Sequence, residues 1–225
     1  MWCRMIALGF ALGLAVAPAR AESPELKTDD DKTLYALGVA LSRSVAPFAL
    51  TEKELATVEA GLRDGALNRP NKAVDMDVYG PKLQALAQAR MQTAAAGEKK
   101  SSEAFLEKAA KEPGAKKLPS GVIIKTVKEG SGDSPKPTDK VKVQYEGKLT
   151  DGTVFDSSKK RGEPATFPLN GVIKCWTEGL QQMKPGGEAI LTCPSDVGYG
   201  DRGQPPSIKP GATLVFDVEL LSIEK

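Results

Sequence analysis

The spacing of apolar residues changes twice along this chain, and each spacing predicts a different kind of structure. Between residues 141 and 221 apolar positions alternate with polar ones. Val141, Val143 and Tyr145 are separated by Lys142, Gln144 and Glu146, the period of a strand with one buried face. Leu214, Phe216, Val218 and Leu220 repeat that pattern, and Glu188–Cys193 forms a further strand after the turn Pro185-Gly186-Gly187. Thr150-Asp151-Gly152 is a hairpin signal leading into a strand over Thr153–Asp156. One short helix is predicted near Lys174–Met183. These elements make an antiparallel sheet wrapped around a single helix, an α+β layout.

Toward the N-terminus the period becomes helical. Leu34, Leu37, Gly38, Leu41 and Val45 share a face, the acidic run Asp29–Asp31 suits a helix start, and Pro47 ends the pattern. Thr51 and Glu54 form a capping-box pair ahead of Leu55, Val58 and Leu62, and Asn68 and Pro70 close that second helix. Each helix has one apolar face and must bury it against something. From Lys82 to about Lys111 the chain is rich in alanine, lysine, glutamate and glutamine. Its apolar stripe is weak (Leu83, Leu86, Ala87), and Pro113-Gly114 ends it. A stretch this polar reads as a solvated connecting helix about 45 Å long, with Gly97 near its middle. The expected division is therefore a helical domain over 22–80, a connecting helix over 81–114 and a sheet domain over 115–225.

The first residues belong to neither pattern. Arg4 precedes an apolar run, Ile6–Val16, and Ala19-Arg20-Ala21 is an A-x-A cleavage motif. The run is too short to span a bilayer, so residues 1–21 read as a secretory signal peptide and the protein as periplasmic or otherwise exported. Surface association is left open. Of 31 basic and 29 acidic residues, the leader takes Arg4 and Arg20 and no acid. The mature chain is thus electrically balanced, without the concentrated basic face that nucleic acid requires. No later segment reads as membrane-spanning.

Composition also narrows the chemistry. The chain has no histidine, which excludes histidine-based triads and histidine-ligated metals. Cys3 leaves with the leader. Cys175 and Cys193 remain, either as a disulfide in an oxidising compartment or as two buried unpaired thiols. Neither has metal-ligand spacing, and no cofactor motif is present. What is left is chemistry that needs no nucleophile, metal or cofactor.

Five local strings, in order, carry a resemblance: V-Q-Y-E-G (143–147), G-T-V-F-D-S-S (152–158), G-V-I-K-C-W-T-E-G-L (171–180), G-Y-G-D-R-G (198–203) and T-L-V-F-D-V-E-L-L (213–221). Together they resemble the FKBP-type peptidyl-prolyl cis–trans isomerase domain. The resemblance implies a hollow in which Trp176 is the floor under a proline ring. Tyr145, Phe155, Val172, Ile173 and Phe216 would be its walls. It further implies that the Tyr199 hydroxyl and the Ile173 N–H meet substrate carbonyls, that Asp156 is the acid beside the hollow with Arg161 its basic neighbour, and that Ile208 belongs to the flap after Gly203. Some positions depart from the family pattern. Ala165 stands where an aromatic wall is common, Ser207 where an apolar flap residue is common, Gln204 where some members carry histidine, and Cys175 where glycine usually precedes the tryptophan.

From leader to C-terminus the chain resembles the Mip-like and FkpA-like exported bacterial members of that family. The expected partners are then a second copy, through the N-terminal helices, and unfolded or partly folded proline-containing polypeptides. The alternative is a holdase-type chaperone whose sheet domain binds but scarcely catalyses.

Overall fold

The computed structural model of the chain describes residues 24–69 and 71–224. The leader and its cleavage motif lie outside them. The described chain divides into two compact units, one ending at Ala40 and one running from Leu41.

Helix α1 spans Asp29–Val45. Its first turn is closed by a reciprocal pair rather than by the acidic run alone: the Thr28 hydroxyl accepts from the Asp31 N–H at 3.0 Å, and the Asp31 carboxylate accepts from the Thr28 N–H at 2.8 Å. No residue of α1 is buried. Leu34 is 66% exposed, and Leu37 and Val39 are also open.

In the second unit a 3-10 turn at Ala46–Phe48 precedes α2, Glu52–Ala66. The capping box at Thr51 and Glu54 forms as the sequence predicts, and Asn68 takes a left-handed conformation just past the helix end. Here too no residue is buried, and Leu55, Val58 and Leu62 lie open.

Helix α3 runs Met76–Ala110, about 52 Å at 1.5 Å per residue. It begins five residues before the boundary expected at 81, because Asp75 caps it by accepting from the Asp77 N–H at 2.9 Å. Pro81 is held inside its second turn, where it has no N–H to offer the Asp77 carbonyl.

The expectation of a solvated connector needs correcting. Ala87, Met91, Ala94, Glu98, Phe105 and Leu106 are partly covered, and Ala95 and Ser102 are buried, all at helical spacing. The covering surface comes partly from the 3-10 turn, whose Phe48 carbonyl accepts from Arg90, and partly from the sheet domain. A side chain on Gly211 would collide with the backbone of Ala95, 2.7 Å from its Cα. Lys99 pairs with Asp196 at 2.7 Å and Asp201 at 2.8 Å. Small residues, not large apolar ones, form this seat, so no hydrophobic stripe announces it.

The sheet domain adds β1 (Ala115–Lys117), β2 (Ile123–Lys128), β3 (Lys140–Leu149), β4 (Val154–Ser157), a one-turn helix α4 (Ser158–Arg161) and β5 (Ala165–Pro168). Helix α5 (Lys174–Leu180), β6 (Glu188–Cys193) and β7 (Leu214–Glu224) complete it. The strands are antiparallel in the order β1-β2-β6-β7-β3-β4, with β5 also on β3. The α+β fold is as expected, although β1, β2, β5 and α4 are additions that periodicity did not reveal.

Alternation puts Val141, Val143 and Tyr145 of β3 on the same buried face as Leu214, Phe216, Val218 and Leu220 of β7. Against it lies α5, burying Cys175, Trp176, Gly179 and Leu180. The helix approaches closely because Gly179 faces Leu191, where a Cβ would sit 2.8 Å from both methyls. Cys175 and Cys193 are joined by a disulfide, tying α5 to β6 one residue before Trp176.

Candidate active site

At one end of α5 the sheet opens into a hollow of about 310 Å3 lined by Tyr145, Phe155, Asp156, Phe167, Gly171, Val172, Ile173, Trp176, Tyr199 and Phe216. Eight of the ten residues that the sequence assigned to catalysis or substrate binding are in that lining. Trp176, only 4% exposed, forms the floor. Four rings meet it or each other edge to face: Tyr145 at 5.0 Å, Phe216 at 5.4 Å and Phe167 at 5.6 Å from the indole, and Phe155 at 5.6 Å from Phe216. The indole N–H is buried and has no acceptor among the described residues.

Register explains the convergence. Gly147 pairs with Phe216 on one side and Asp156 on the other. A Cβ on Gly147 would lie 2.7 Å from the Phe155 ring and 2.8 Å from that of Phe216. The two aromatic walls therefore touch only because this strand position carries no side chain.

Polar groups sit at the rim. The Tyr145 hydroxyl donates to Asp156 and accepts from Arg161 at 2.9 Å, while Arg161 also donates to the other Asp156 oxygen at 2.5 Å. Burial alone would push the Asp156 carboxyl up, but the Tyr145 hydroxyl and the Arg161 guanidinium outweigh it and hold the pKa below the ordinary value. Burial, reinforced by Asp156, raises the phenol pKa of both Tyr145 and Tyr199. Both phenols are thus neutral donors at any physiological pH. Among the described residues the Tyr199 hydroxyl and the Ile173 N–H have no hydrogen-bond partner, and both residues line the hollow.

Two assigned residues lie elsewhere. Arg161 is absent from the lining and acts on Asp156 and Tyr145 from outside. Ile208 is only 2% exposed and is held in the flap, where Gln204 and Ile208 exchange backbone hydrogen bonds at 2.8 and 3.0 Å. It lines the neighbouring depressions instead. Conversely, Phe167 and Gly171 were missed. Phe167 is two residues along β5 from Ala165 and supplies an aromatic wall of the hollow. Its register, opposite Val141 as Ala165 is opposite Val143, is visible only in the folded sheet.

A wider depression of about 520 Å3 beside β1 has mostly charged walls and no ring, so it offers nothing comparable. Among the described residues no cluster of cysteine and carboxylate side chains is spaced to hold a metal ion.

Two family patterns match the chain. Residues 132–221 match the FKBP-type peptidyl-prolyl cis-trans isomerase domain, and residues 30–125 match the domain amino terminal to it. The FKBP-type peptidyl-prolyl cis-trans isomerase FkpA of Aeromonas hydrophila is 41% identical over 94% of this chain and 82% of its own length. The chain belongs to the FKBP-type peptidyl-prolyl cis-trans isomerases. Peptidyl-prolyl cis-trans isomerase Mip of Coxiella burnetii is another FKBP relative, 36% identical over 99% of both chains. The crystal structure of FkpA from Escherichia coli superposes with a TM-score of 0.64 at 38% identity, covering 89% of this chain and 99% of that one. This FKBP chain thus matches its relatives through the helices as well as through the sheet domain.

Proposed function

We propose that the protein accelerates rotation about X-Pro bonds in unfolded or partly folded exported polypeptides, with the aromatic hollow as its catalytic site. The barrier to rotation is amide resonance, about 18–20 kcal/mol. The planar amide is more charge-separated than the twisted one, so a dry apolar cup destabilises the ground state relative to the transition state. Lowering the barrier by about 6 kcal/mol would give about four decades in rate.

In this reading Trp176 seats the proline ring. Tyr145, Phe155, Val172, Ile173, Phe167 and Phe216 exclude water, and Tyr199 and the Ile173 N–H fix the flanking carbonyls. Asp156, kept ionised and immobile by Tyr145 and Arg161, sets the field at the rim. No metal or cofactor is required. The single observation that carries the proposal is the indole floor enclosed by edge-to-face rings, in a hollow also lined by Tyr199 and Ile173.

Residues 1–21 are proposed as the export signal, with the periplasm as destination. No helix of the described residues is long and apolar enough to cross a membrane. The unburied leucine stripes of α1 and α2 support a homodimer through residues 22–80. In such a dimer α3 would space two catalytic domains over 115–225.

Rotation of a proline-containing tetrapeptide by wild type and by a Trp176→Leu, Tyr199→Phe double variant tests the assignment. The variant is expected to lose at least about tenfold in kcat/KM, equivalent to about 1.4 kcal/mol of transition-state stabilisation. Equal rates would reject it. If suppression of client aggregation survives the double substitution, a holdase role through other surfaces stands beside the isomerase.

A further inference from the structure

Three depressions on the sheet domain are joined end to end. The aromatic hollow shares Phe155, Asp156 and Tyr199 with a depression of about 420 Å3 over the flap. That depression shares Pro205, Pro206 and Ile208 with a notch of about 430 Å3 on its far side. The notch is closed by residues from outside the sheet domain: Ala46, Pro47 and Ala49 around the 3-10 turn, and Met91 and Ala94 on α3. Glu98 and Lys209 are its charged members, and the rest of its lining is apolar.

The notch is built rather than incidental. Arg90 fastens the 3-10 turn and α2 to α3, donating to the Phe48 carbonyl at 2.9 Å and pairing with Glu54 at 2.5 Å. The Glu54 carboxyl is pulled down to about 2, first by Arg90 and then by its own capping bonds to Thr51, so the clamp stays charged. The Ala95–Gly211 seat and the Lys99 pairs with Asp196 and Asp201 then fasten α3 to the loop bearing Tyr199. Walls from three segments are thus held at fixed spacing.

We propose that this notch is a second client subsite, taking an apolar side chain of the same polypeptide whose proline occupies the aromatic hollow. This rests on the isomerase reading above. The occupant follows from continuity: a chain leaving the hollow past Tyr199 crosses the flap and meets the notch next. An extended chain advances about 3.3 Å per residue, so several residues separate the two sites. A short proline peptide fills only the first.

The test uses the full chain, the proline tetrapeptide, and long peptides with one proline and a single leucine moved stepwise to either side in a serine-glycine background. Wild type is expected to favour leucine over serine at one offset by about tenfold, in kcat/KM and in binding measured by anisotropy. Met91→Glu is expected to abolish that preference while tetrapeptide rates stay within about twofold of wild type. Ala94→Asp, one turn further along the helix, is expected to do the same. Absence of any offset preference would overturn the subsite, as would its survival in both variants. So would a change of sedimentation in Met91→Glu with the preference intact, which would make a second copy the occupant. A wild type inactive on the tetrapeptide but retaining the leucine preference in binding would reject the isomerase reading and leave the subsite standing.

Discussion

The sheet domain and the two N-terminal helices solve the problem of apolar surface in opposite ways. β3, β6, β7 and α5 turn their apolar positions toward one another and leave Leu180, Leu191, Leu214 and Leu220 with essentially no exposure. Helices α1 and α2 carry equally clear stripes, yet no residue of either is buried. A pattern along the sequence therefore states that a face must be covered. It does not state by what.

The sharpest way to break this contrast is to truncate a leucine in each region. Leu191→Ala, beneath Gly179 of α5, is expected to cost about 3–4 kcal/mol in denaturant unfolding, independent of protein concentration. Leu62→Ala on α2 is expected to cost nothing in a monomer and to show only as a concentration-dependent shift in sedimentation. If Leu62→Ala proves as costly as Leu191→Ala and independent of concentration, then α2 is covered by its own chain and the contrast fails.

The covalent link comes next. Cys175 and Cys193 are 18 residues apart in sequence, and closing such a loop contributes about 3 kcal/mol in the chain-entropy model. Native protein is expected to show no titratable thiol without reductant. A Cys175→Ser, Cys193→Ser variant should unfold at correspondingly lower denaturant, with its helical region unaffected. Two reactive thiols in untreated native protein would contradict the bond.

Gly147→Ala is expected to cost less, about 1–3 kcal/mol, by forcing apart the Phe155 and Phe216 rings. Its effect on tetrapeptide kcat/KM should exceed that of Gly61→Ala on α2, where a Cβ meets nothing. Equal, negligible effects would mean that the rings shift without consequence.

The smallest effect is with pH. Because the Asp156 pKa is depressed below 3.8 in the folded protein, its contribution to stability is fully present above the ordinary carboxylate range. It is lost only as the pH falls through the lower folded value. Activity should be flat from neutrality down to pH 4, and Asp156→Asn should be insensitive below that. A fall in wild-type activity centred near neutral pH would show that another group governs the rim.

Much of the sheet domain could be read from the chain because its signal is local. Alternation marked β3 and β7, a hairpin turn marked β4, and the turn Pro185-Gly186-Gly187 marked β6. The positions of Tyr145, Trp176 and Tyr199 came through resemblance to an FKBP domain, and the structure gathers them in one hollow. What escaped was written in small residues and short elements. The β5 strand has four residues, too few to establish a period, and Phe167 was hidden within it. Ile208 was placed in the flap, and its side chain lines the depressions beyond the hollow, because position in a flap does not say which side a side chain lines. The seat of α3 was invisible for the same reason as Gly147: contact made by alanine and glycine leaves no hydrophobic stripe.

That seat has a mechanical consequence. Gly211 touches Ala95 near the midpoint of α3, and its N–H donates to the carbonyl of Gly200, immediately after Tyr199, at 3.0 Å. Backbone meets backbone there, with no flexible side chain between to absorb displacement. A tilt of the long helix would therefore be passed to the loop that carries Tyr199 as a lever passes load to its pivot, and so to one wall of the hollow.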